Sequence, residues 1–199
     1  MKRLEDKIRE CGEVREGGIV KVDYFLNHRI DVAFLGEIGQ EFHRLFKDTC
    51  PDVVMTLEAS GIAIALATAQ TFGVPVIFAK KSESLNLDKD CYVSEVYSYT
   101  RQKSYKIKLS KRYLNKGMRV LIVDDFLARG NAVEGMLELC RQAGAEVCGV
   151  GIVIEKCFQE GGASLRAKGV EVKSLAMISS IDLEKGIEFA PNPTEEVQG

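Results

Sequence analysis

The sequence predicts a single α/β domain in which a mostly parallel β-sheet is flanked by helices. Short apolar runs rich in β-branched residues recur along the chain, each too short for a helix but suited to a buried strand. Two of them, residues 53–57 and 120–123, are followed by a small-residue turn and then by apolar residues at helical spacing. Strands that alternate with helices in this way form parallel sheets. The 199 residues are enough for one compact domain with a substantial core.

Composition excludes several classes of protein. The 27 basic residues nearly balance the 29 acidic ones, so no nonspecific nucleic-acid or membrane surface is indicated. The charged start of the chain lacks the apolar region of a secretory signal, and no apolar segment reaches the length that crosses a membrane. Six cysteines occur singly, which favours a reducing cytoplasm over a disulfide framework. His28 and His43 have no cysteine or histidine at ligand spacing, so a zinc site is not expected.

The N-terminal region is predicted to contain a helix, a short strand and a loop. The helix has apolar residues on one face, at Leu4, Ile8 and Cys11. Residues 19–22 form the strand, and residues 23–28 form a loop that is too polar for the core and too aromatic for a plain linker. The Asn27 amide can both donate and accept hydrogen bonds, which suits a polar ligand edge, but a simple turn residue is an equal alternative. Asp31 is placed to cap the next helix, whose apolar face carries Leu35, Ile38, Phe42, Leu45 and Phe46.

The first strand–turn–helix unit offers a candidate anion site. After the buried strand at 53–57, the turn at 58–61 leads into an apolar helix. Ser60 and Gly61 stand at the positive end of that helix, where they can bind an anion, cap the helix, or both. The nucleophile elbow of a serine hydrolase is excluded, because Glu58 and Ile62 occupy positions that the elbow reserves for glycine.

Two features of the middle of the chain suggest parts of a crevice. Lys80 and Lys81 end the strand predicted at 74–79, where they are either solvated or point toward the same crevice as the anion-binding turns. Alternating patterns at 92–100 and 105–109 predict two antiparallel strands, with a polar, mobile link at 101–104. Such a flap beside the site would exclude water from it.

The stretch from Arg119 to Cys140 is the centre of the functional prediction. A buried strand at 120–123 is expected to end at Asp124 and Asp125, and a small-residue loop at 128–132 then leads into a helix. Unpaired N–H groups at the helix start suit a phosphate, and Gly130 lets the backbone approach it closely. The carboxylates accept hydrogen bonds from hydroxyls, which suits a ribose or the hydration shell of Mg²⁺. The stretch predicts a site for a phosphorylated sugar, and the alternative is an acidic cap followed by an ordinary loop.

The last third of the chain adds a strand that ends in a lysine. Gly149 and Gly151 within the strand at 147–154 indicate close backbone packing rather than a dinucleotide fingerprint, because no third glycine follows. Lys156 then faces the crevice, with Phe158 nearby as a flat apolar surface for a base. A short helix at 163–168, a last strand at 170–178 and a fraying tail around residues 191–193 complete the prediction.

The hydrophobic run, two acids, two apolar residues and small-residue loop resemble the phosphoribosyl-diphosphate signature of the type I phosphoribosyltransferases. The segments KVDYFLNHRID, VIFAKKSESL and GIVIEKCFQEG resemble other parts of the purine branch of that family, in the same order and spacing. The loop departs from the wider superfamily, because Arg129, Asn131 and Ala132 stand where many members have Thr or Ser. Phosphate binding must then rely on backbone N–H groups and on the side chains of Arg129 or Asn131.

The resemblance implies the type I phosphoribosyltransferase fold, with an N-terminal hood at 1–30, an α/β core at 31–180 and a C-terminal tail at 181–199. It implies transfer of phosphoribosyl from phosphoribosyl diphosphate to xanthine in purine salvage, with Mg²⁺, in a cytoplasmic homodimer, and no residue assigned as a direct metal ligand. The implied sites are the base (Val20, Asn27, Lys156), the 5′-phosphate (Ala128, Arg129, Gly130, Asn131, Ala132), the ribose and transition state (Asp124, Asp125) and pyrophosphate (Glu58, Ser60, Gly61, Lys80, Lys81).

Two rival functions remain open on the sequence. A regulator of the same fold would bind phosphoribosyl diphosphate without turnover, but the residues before the first core helix are too few for a DNA-binding domain. A hypoxanthine–guanine enzyme is the rival within the family. Lys156 favours xanthine if it contacts the C2 oxygen, because lysine only donates hydrogen bonds and guanine presents an amino group there. The preference disappears if Lys156 contacts the C6 oxygen or is merely solvated.

Overall fold

The structure, a computed structural model, describes residues 1–15, 18–82, 90–98 and 103–194. Its strands are β1 Glu13–Arg15, β2 Ile19–Lys21, β3 Val53–Leu57, β4 Val76–Ser82, β5 Cys91–Ser98, β6 Lys103–Ser110, β7 Arg119–Leu127, β8 Glu146–Lys156, β9 Val172–Asp182 and β10 Gly186–Phe189. Its α-helices are α1 Lys2–Cys11, α2 Val32–Phe46, α3 Gly61–Phe72, α4 Asn131–Ala143 and α5 Gly161–Ala167. Within the described ranges, none of these helices is long and apolar enough to cross a membrane.

A sheet of eight strands in the order β10-β9-β8-β7-β3-β4-β6-β5 forms the centre of the protein. The middle pairs, from β9 through β8, β7 and β3 to β4, are parallel, whereas β10, β6 and β5 pair antiparallel at the two sides. Strands β1 and β2 form a separate hairpin. The prediction of a mostly parallel sheet flanked by helices is therefore confirmed, and the carboxyl ends of β3, β7 and β8 meet at one edge of the sheet.

Helices cover both faces of the sheet because its strands alternate apolar side chains to either side. Leu121 and Val123 of β7 belong to a core that includes the buried faces of α1, α2 and α3. Val120 and Ile122 belong to a second core with α4 and α5. Gly149 packs close to Phe46, and a Cβ placed on it would lie 2.5 Å from the phenylalanine ring, which confirms the predicted close backbone packing.

The helix ends follow the predicted signals. The Asp31 carboxylate accepts a hydrogen bond from the Phe34 N–H at 3.1 Å and caps α2. Gly73 and Gly144 follow α3 and α4 with positive φ angles of 70° and 69°, the left-handed conformation that glycine adopts without strain. The boundaries of these helices were therefore readable from single residues.

The N-terminal region differs from the prediction in two ways. Residues 23–27 form a π-helix turn rather than a loop excluded from the core. Phe25 and Leu26 are buried, and the Phe25 ring meets Phe34 edge to face with centroids 5.8 Å apart. The Phe25 ring thus anchors this segment to α2. The hairpin strand β1 was not predicted at all, because Glu13–Arg15 is short and polar.

Strands β7, β8 and β9 extend beyond their predicted ends. Strand β7 continues through Asp124 and Asp125 to Leu127, because Phe126 and Leu127 pair with Ile154 and Glu155 of β8. Strand β8 likewise reaches Lys156 and β9 reaches Asp182, beyond the predicted Ile178. The expectation that the strand stops at the acids was wrong, because pairing with a longer neighbour extended it.

The C-terminal segment does not fray at residues 191–193 as expected. Asn192 is buried, and its side-chain amide donates hydrogen bonds to the backbone oxygens of Ser174 at 2.8 Å and Leu175 at 3.2 Å. The antiparallel hairpin β9–β10 precedes it. Residues 195–199 of the predicted tail lie outside the described residues, and the division into hood, core and tail stays a prediction.

The predicted flap is confirmed as two antiparallel strands, with Val96 opposite Tyr105 in the register of β5 and β6. Residues 99–102, which include part of the polar link predicted as mobile, lie outside the described residues. Residues 83–85 of the VIFAKKSESL segment also lie outside them. Strand β4 runs over Val76–Ser82, so Lys80 and Lys81 lie within it rather than after it.

Candidate active site

The two acids of the central stretch have different surroundings at the end of β7. Asp124 is only 6% exposed, whereas Asp125 is half-buried. The Asp124 Oδ1 accepts a hydrogen bond from the Asp125 N–H at 3.0 Å, and the Asp125 Oδ1 accepts one from the Phe126 N–H at 2.9 Å. The adjacent pair in the sequence is therefore one buried and one accessible carboxyl group.

Burial dominates the protonation of Asp124. Desolvation raises the pKa of this carboxyl well above its ordinary value of 3.8, and the neighbouring Asp125 charge raises the pKa further. The Asp125 N–H and the positive charge of Lys81 act in the opposite direction. Carboxyl groups with a raised pKa are common in functional sites, where binding or catalysis uses the perturbed protonation state.

The loop after β7 has the geometry of an anion site. Gly130 precedes α4 with a φ of 85°, and no side chain caps the helix start. The first N–H groups of α4 therefore have no partner within the helix, and the helix dipole adds partial positive charge there. Gly161 at the start of α5 supports the loop, because its N–H donates to the Ala128 oxygen at 3.1 Å. A Cβ on Gly161 would lie 2.4 Å from that oxygen.

This loop and Lys156 line a single cavity of about 440 Å³. The predicted lining residues are Ala128, Arg129, Gly130, Asn131, Ala132 and Lys156. Residues that sequence reasoning did not assign to a site complete the lining: Ile19, Val96, Tyr97, Tyr105, Phe126, Leu127, Val133 and Gln159. Phe126 was available as one of the two apolar residues after the acids, and it was omitted because the strand was expected to end before it.

Lys156 lies between the N-terminal hairpin and the end of β7. Its Nζ donates to the Gly18 backbone oxygen at 2.9 Å and lies 5.7 Å from the centroid of the Phe126 ring. Burial lowers the pKa of the Lys156 ammonium group from its ordinary value. An ammonium group has three donors, so two remain for a ligand. Phe158, expected to offer a surface for the base, is 45% exposed and is not part of the cavity lining, whereas Phe126 is.

Val20 and Asn27, the other predicted base contacts, are not part of the cavity lining. The Val20 side chain is 5% exposed and packs in the core, so only its backbone is available for a base. Asn27 is exposed at the end of the π-helix turn. Their roles at the base stay predictions.

The turn after β3 connects to β4 through a carboxylate. The Glu58 Oε1 accepts a hydrogen bond from the Lys81 N–H at 2.6 Å. Ser60 precedes α3 but makes no side-chain capping bond, so helix capping does not explain this serine. Gly61 is required by packing, since a Cβ there would lie 2.0 Å from the Thr56 hydroxyl oxygen.

The two lysines of β4 lie on opposite faces of the strand. Lys81 Nζ lies 5.7 Å from the ring centroid of Tyr105, which lines the same cavity as Lys156, and Lys80 Nζ lies 5.8 Å from the Phe78 ring centroid. Both lysines also line a second cavity of about 600 Å³ beside β4 and β6. Of the two lysines, Lys81 is the one whose positive charge affects the pKa of Asp124. Lys81 is therefore more closely linked to Glu58 and Asp124 than Lys80 is.

The flap contacts the loop at 128–132 directly. The Asn131 side-chain amide donates to the backbone oxygen of Tyr97 in β5 at 2.8 Å. Arg129 lies 4.0 Å from the Glu160 carboxylate. In this arrangement the Asn131 amide holds the flap beside the loop, which leaves the backbone N–H groups as the main donors for an anion.

The buried carboxylate of Glu155, next to Lys156 in β8, forms an ion pair with the partly exposed side chain of Arg166. Glu155 is 2% exposed and receives two hydrogen bonds from Arg166 of α5, each 2.7 Å long, and one from Ser174. Burial opposes ionisation of Glu155, but these hydrogen bonds outweigh burial and lower the pKa of its carboxyl. Because Arg166 belongs to the helix whose first residue supports the phosphate loop, this pair links the end of β8 to that loop.

Comparison with known proteins agrees with this architecture. The model of the phosphoribosyl transferase domain family matches residues 32–168. A xanthine phosphoribosyltransferase of Clostridioides difficile is 57% identical over 92% of this chain and 96% of its own length. Xanthine phosphoribosyltransferase 1 of Clostridium perfringens is 55% identical over 93% of this chain and 98% of its own length.

Solved structures of adenine phosphoribosyltransferases share the fold at low sequence identity. The protein from Rhodothermus marinus has a TM-score of 0.72 and 19% identity, covering 89% of this chain and 99% of that one. The protein from Saccharomyces cerevisiae has a TM-score of 0.71 and 20% identity, covering 88% and 99%. Since the domain model matches more than half of the chain and the relatives above align over nearly all of it, the chain belongs to the phosphoribosyl transferase domain family.

Proposed function

We propose that this protein transfers phosphoribosyl from phosphoribosyl diphosphate to xanthine, giving XMP and pyrophosphate in purine salvage. The observation that supports it most is the shared cavity, in which the helix-start loop at 128–132 and the Lys156 ammonium group face the same space. A nucleotide product has a phosphate at one end and a base at the other. The relatives named above carry the name xanthine phosphoribosyltransferase, which agrees with this substrate.

The reaction breaks the bond between the ribose C1 and pyrophosphate and forms a bond from C1 to a purine nitrogen, which loses its proton. Positive charge builds on the ribose in the transition state. In this proposal Asp124 and Asp125 hold the ribose hydroxyls and contribute negative potential beside that charge. The chain needs no covalent nucleophile, so its contribution is positioning and electrostatics.

The base end depends on Lys156. Its two remaining N–H donors suit the oxygens of xanthine, and its location 5.7 Å from the Phe126 ring centroid places an aromatic face next to the bound base. In this proposal the Val20 backbone and the Asn27 side chain also contact the base, from positions beside the residues that line the cavity. Xanthine loses a ring proton readily, so the Lys156 ammonium group beside it would also attract the negative charge of the xanthine anion.

Pyrophosphate leaves toward the turn at Glu58, Ser60 and Gly61, with Lys80 and Lys81 nearby. Mg²⁺ bound to the phosphoribosyl diphosphate oxygens would neutralise charge on the departing group. Among the described residues no three His, Cys, Asp or Glu side chains cluster to hold a metal ion. Mg²⁺ at phosphate sites is usually bound through one or two carboxylates together with phosphate oxygens and keeps several waters.

We further propose that the protein acts in the cytoplasm as a homodimer. The six cysteines are all free, which fits a reducing compartment. Sedimentation of the purified protein tests the dimer, and a mass equal to one chain would refute it.

The direct test is a turnover assay with phosphoribosyl diphosphate, Mg²⁺ and each of xanthine, guanine and hypoxanthine. We expect XMP and stoichiometric pyrophosphate, highest kcat/KM for xanthine, and loss of turnover when the metal is chelated. Binding of phosphoribosyl diphosphate without turnover on any purine would instead identify a regulator. Higher kcat/KM for guanine or hypoxanthine would identify the rival enzyme of the same family.

A further inference from the structure

The hydroxyl of Thr56 is the one buried side-chain polar atom with no hydrogen-bond partner in the described part of the chain. Thr56 lies in β3 and is completely buried. Other buried hydroxyls are satisfied, such as that of Thr68, which donates to the Ile64 oxygen at 2.9 Å. A buried hydroxyl without a partner destabilises the folded state, so such a group calls for a physical explanation.

The position of the hydroxyl provides that explanation. A Cβ built on Gly61 would lie 2.0 Å from the Thr56 Oγ1 and 3.1 Å from the Asp124 Oδ1. Both oxygens therefore border the same small space beside the start of α3, without being hydrogen bonded to each other. The sequence of α3, Gly61–Phe72, has no charged side chain that could pair with either oxygen.

The Asp124 Oδ1 has room for a second donor. A carboxylate oxygen accepts two hydrogen bonds, and the Asp125 N–H at 3.0 Å supplies one. The Thr56 hydroxyl borders the same space and its donor is unused, whereas Lys81 acts on Asp124 through its charge. A small displacement of the carboxyl when ribose hydroxyls bind to its other oxygen would bring Oδ1 and Oγ1 together.

We propose that Thr56 is a positioning residue whose hydroxyl donates to the Asp124 Oδ1 when the site is occupied and so fixes the carboxyl against the ribose. This inference rests on the proposed phosphoribosyl transfer. In the free protein the hydroxyl stays unpaired, and the hydrogen bond forms only with the substrate's ribose in place. An interaction that strengthens toward the transition state raises kcat rather than the stability of the free protein.

The test is Thr56→Val, which replaces the hydroxyl with a methyl group of the same shape. We expect kcat for xanthine to fall about tenfold or more, because a hydrogen bond to a charged group has that effect on a rate. The KM for phosphoribosyl diphosphate should change less than about threefold, since the contact strengthens after binding. The melting temperature should stay equal or rise, because an unpaired buried hydroxyl is removed.

Two further variants control this test. Thr56→Ser keeps the hydroxyl and should retain kcat within about threefold, even if the lost methyl lowers the melting temperature. Thr68→Val removes a satisfied buried hydroxyl of α3 and should lower the melting temperature while kcat stays unchanged. The combination of lower kcat with undiminished stability is the signature that a merely structural threonine would not give.

Several outcomes would overturn the inference. Unchanged kcat in Thr56→Val would refute it, as would a large loss of stability, which would show that the hydroxyl is already bonded in the free protein. Failure of Thr56→Ser to keep activity would show that packing, not the hydroxyl, matters. Wild-type protein is assayed alongside: an inactive wild type refutes the proposed function and this inference with it, whereas an active wild type with an equally active Thr56→Val variant refutes the inference alone.

Discussion

Asp124→Asn should make the protein more stable and much less active. The buried carboxyl of Asp124 has a pKa raised well above 3.8, first by burial and then by the Asp125 charge. A raised acid pKa means that the native state binds more protons than the unfolded state, so native stability falls as pH rises from about 3.8 through the native pKa. The neutral amide has no such dependence and can still accept the hydrogen bond from the Asp125 N–H.

The expected changes in stability and in kcat both follow from the charge state of Asp124. Each tenfold decrease in the acid's ionisation constant corresponds to about 1.4 kcal/mol of native stability lost at neutral pH. Since about 1 kcal/mol shifts the melting temperature of a chain of this size by roughly 2–4 °C, the variant should melt at a measurably higher temperature than the wild type at pH 7.5. In other enzymes, removing one interaction that stabilises transition-state charge raises the activation free energy by roughly 3–4 kcal/mol. The kcat of Asp124→Asn should therefore fall about a hundredfold or more.

Thermal melts and initial rates from pH 4 to pH 8 check both effects. The gain in melting temperature should shrink toward zero as pH approaches the ordinary carboxyl range, because wild-type Asp124 is then protonated too. Asp48→Asn, at an exposed acid far from the cavity, should change neither quantity. A variant with near-normal kcat would show that Asp124 is only a structural residue, and a lower melting temperature at neutral pH would refute the reasoning on its protonation.

Three further predictions concern the surroundings of the cavity. Lys156→Gln should lower kcat/KM for xanthine about tenfold or more. A smaller loss of kcat/KM for guanine in the same assay would indicate that Lys156 contacts the C2 oxygen of xanthine. No loss for either base would show that Lys156 is not part of the site. Gly161→Ala should raise the KM for phosphoribosyl diphosphate about tenfold and change the KM for xanthine little. The reason is that the new Cβ would lie 2.4 Å from the Ala128 oxygen and displace the loop at 128–132. Equal changes in the two KM values would contradict a specific effect on this loop. Arg166→Met should lower the free energy of unfolding in urea by about 1.5–3 kcal/mol at pH 7, because the buried Glu155 carboxylate loses its ion-pair partner and keeps only the hydrogen bond from Ser174. The lowered pKa of Glu155 means that the pair stabilises the protein above about pH 4.5 and no longer does so on acidification, so the deficit should shrink at low pH. A deficit independent of pH would argue against the ion pair.

Much of the architecture could be predicted from the sequence because its signals are local. The apolar run at 120–123, the loop at 128–132 and the helix after it are contiguous, and their hydrophobic spacing specifies strand, turn and helix without distant partners. The same holds for Asp31 as the cap of α2 and for Lys156 at the end of β8. Because the carboxyl ends of parallel strands meet at one edge, the prediction that these groups share a crevice also followed.

The difference between Asp124 and Asp125 could not be predicted, because it depends on what covers each side chain. The backbone of Gly61, more than sixty residues earlier in the chain, lies against Asp124 and Thr56 and leaves Asp125 more accessible. The length of β7 likewise depended on pairing with β8, which placed Phe126 in the cavity lining.

What the sequence determined by itself was the order of the main strands and helices and the position of the small-residue loop at 128–132 between β7 and α4, since both are encoded by neighbouring residues. What only the tertiary structure decided was which groups are buried, paired or left without a partner. The contacts of Gly161 with Ala128, of Asn131 with Tyr97 and of Arg166 with Glu155 join residues that are 11 to 34 positions apart. Desolvation and hydrogen-bond pairing depend on three-dimensional neighbours of this kind, and no local pattern of residues specifies them.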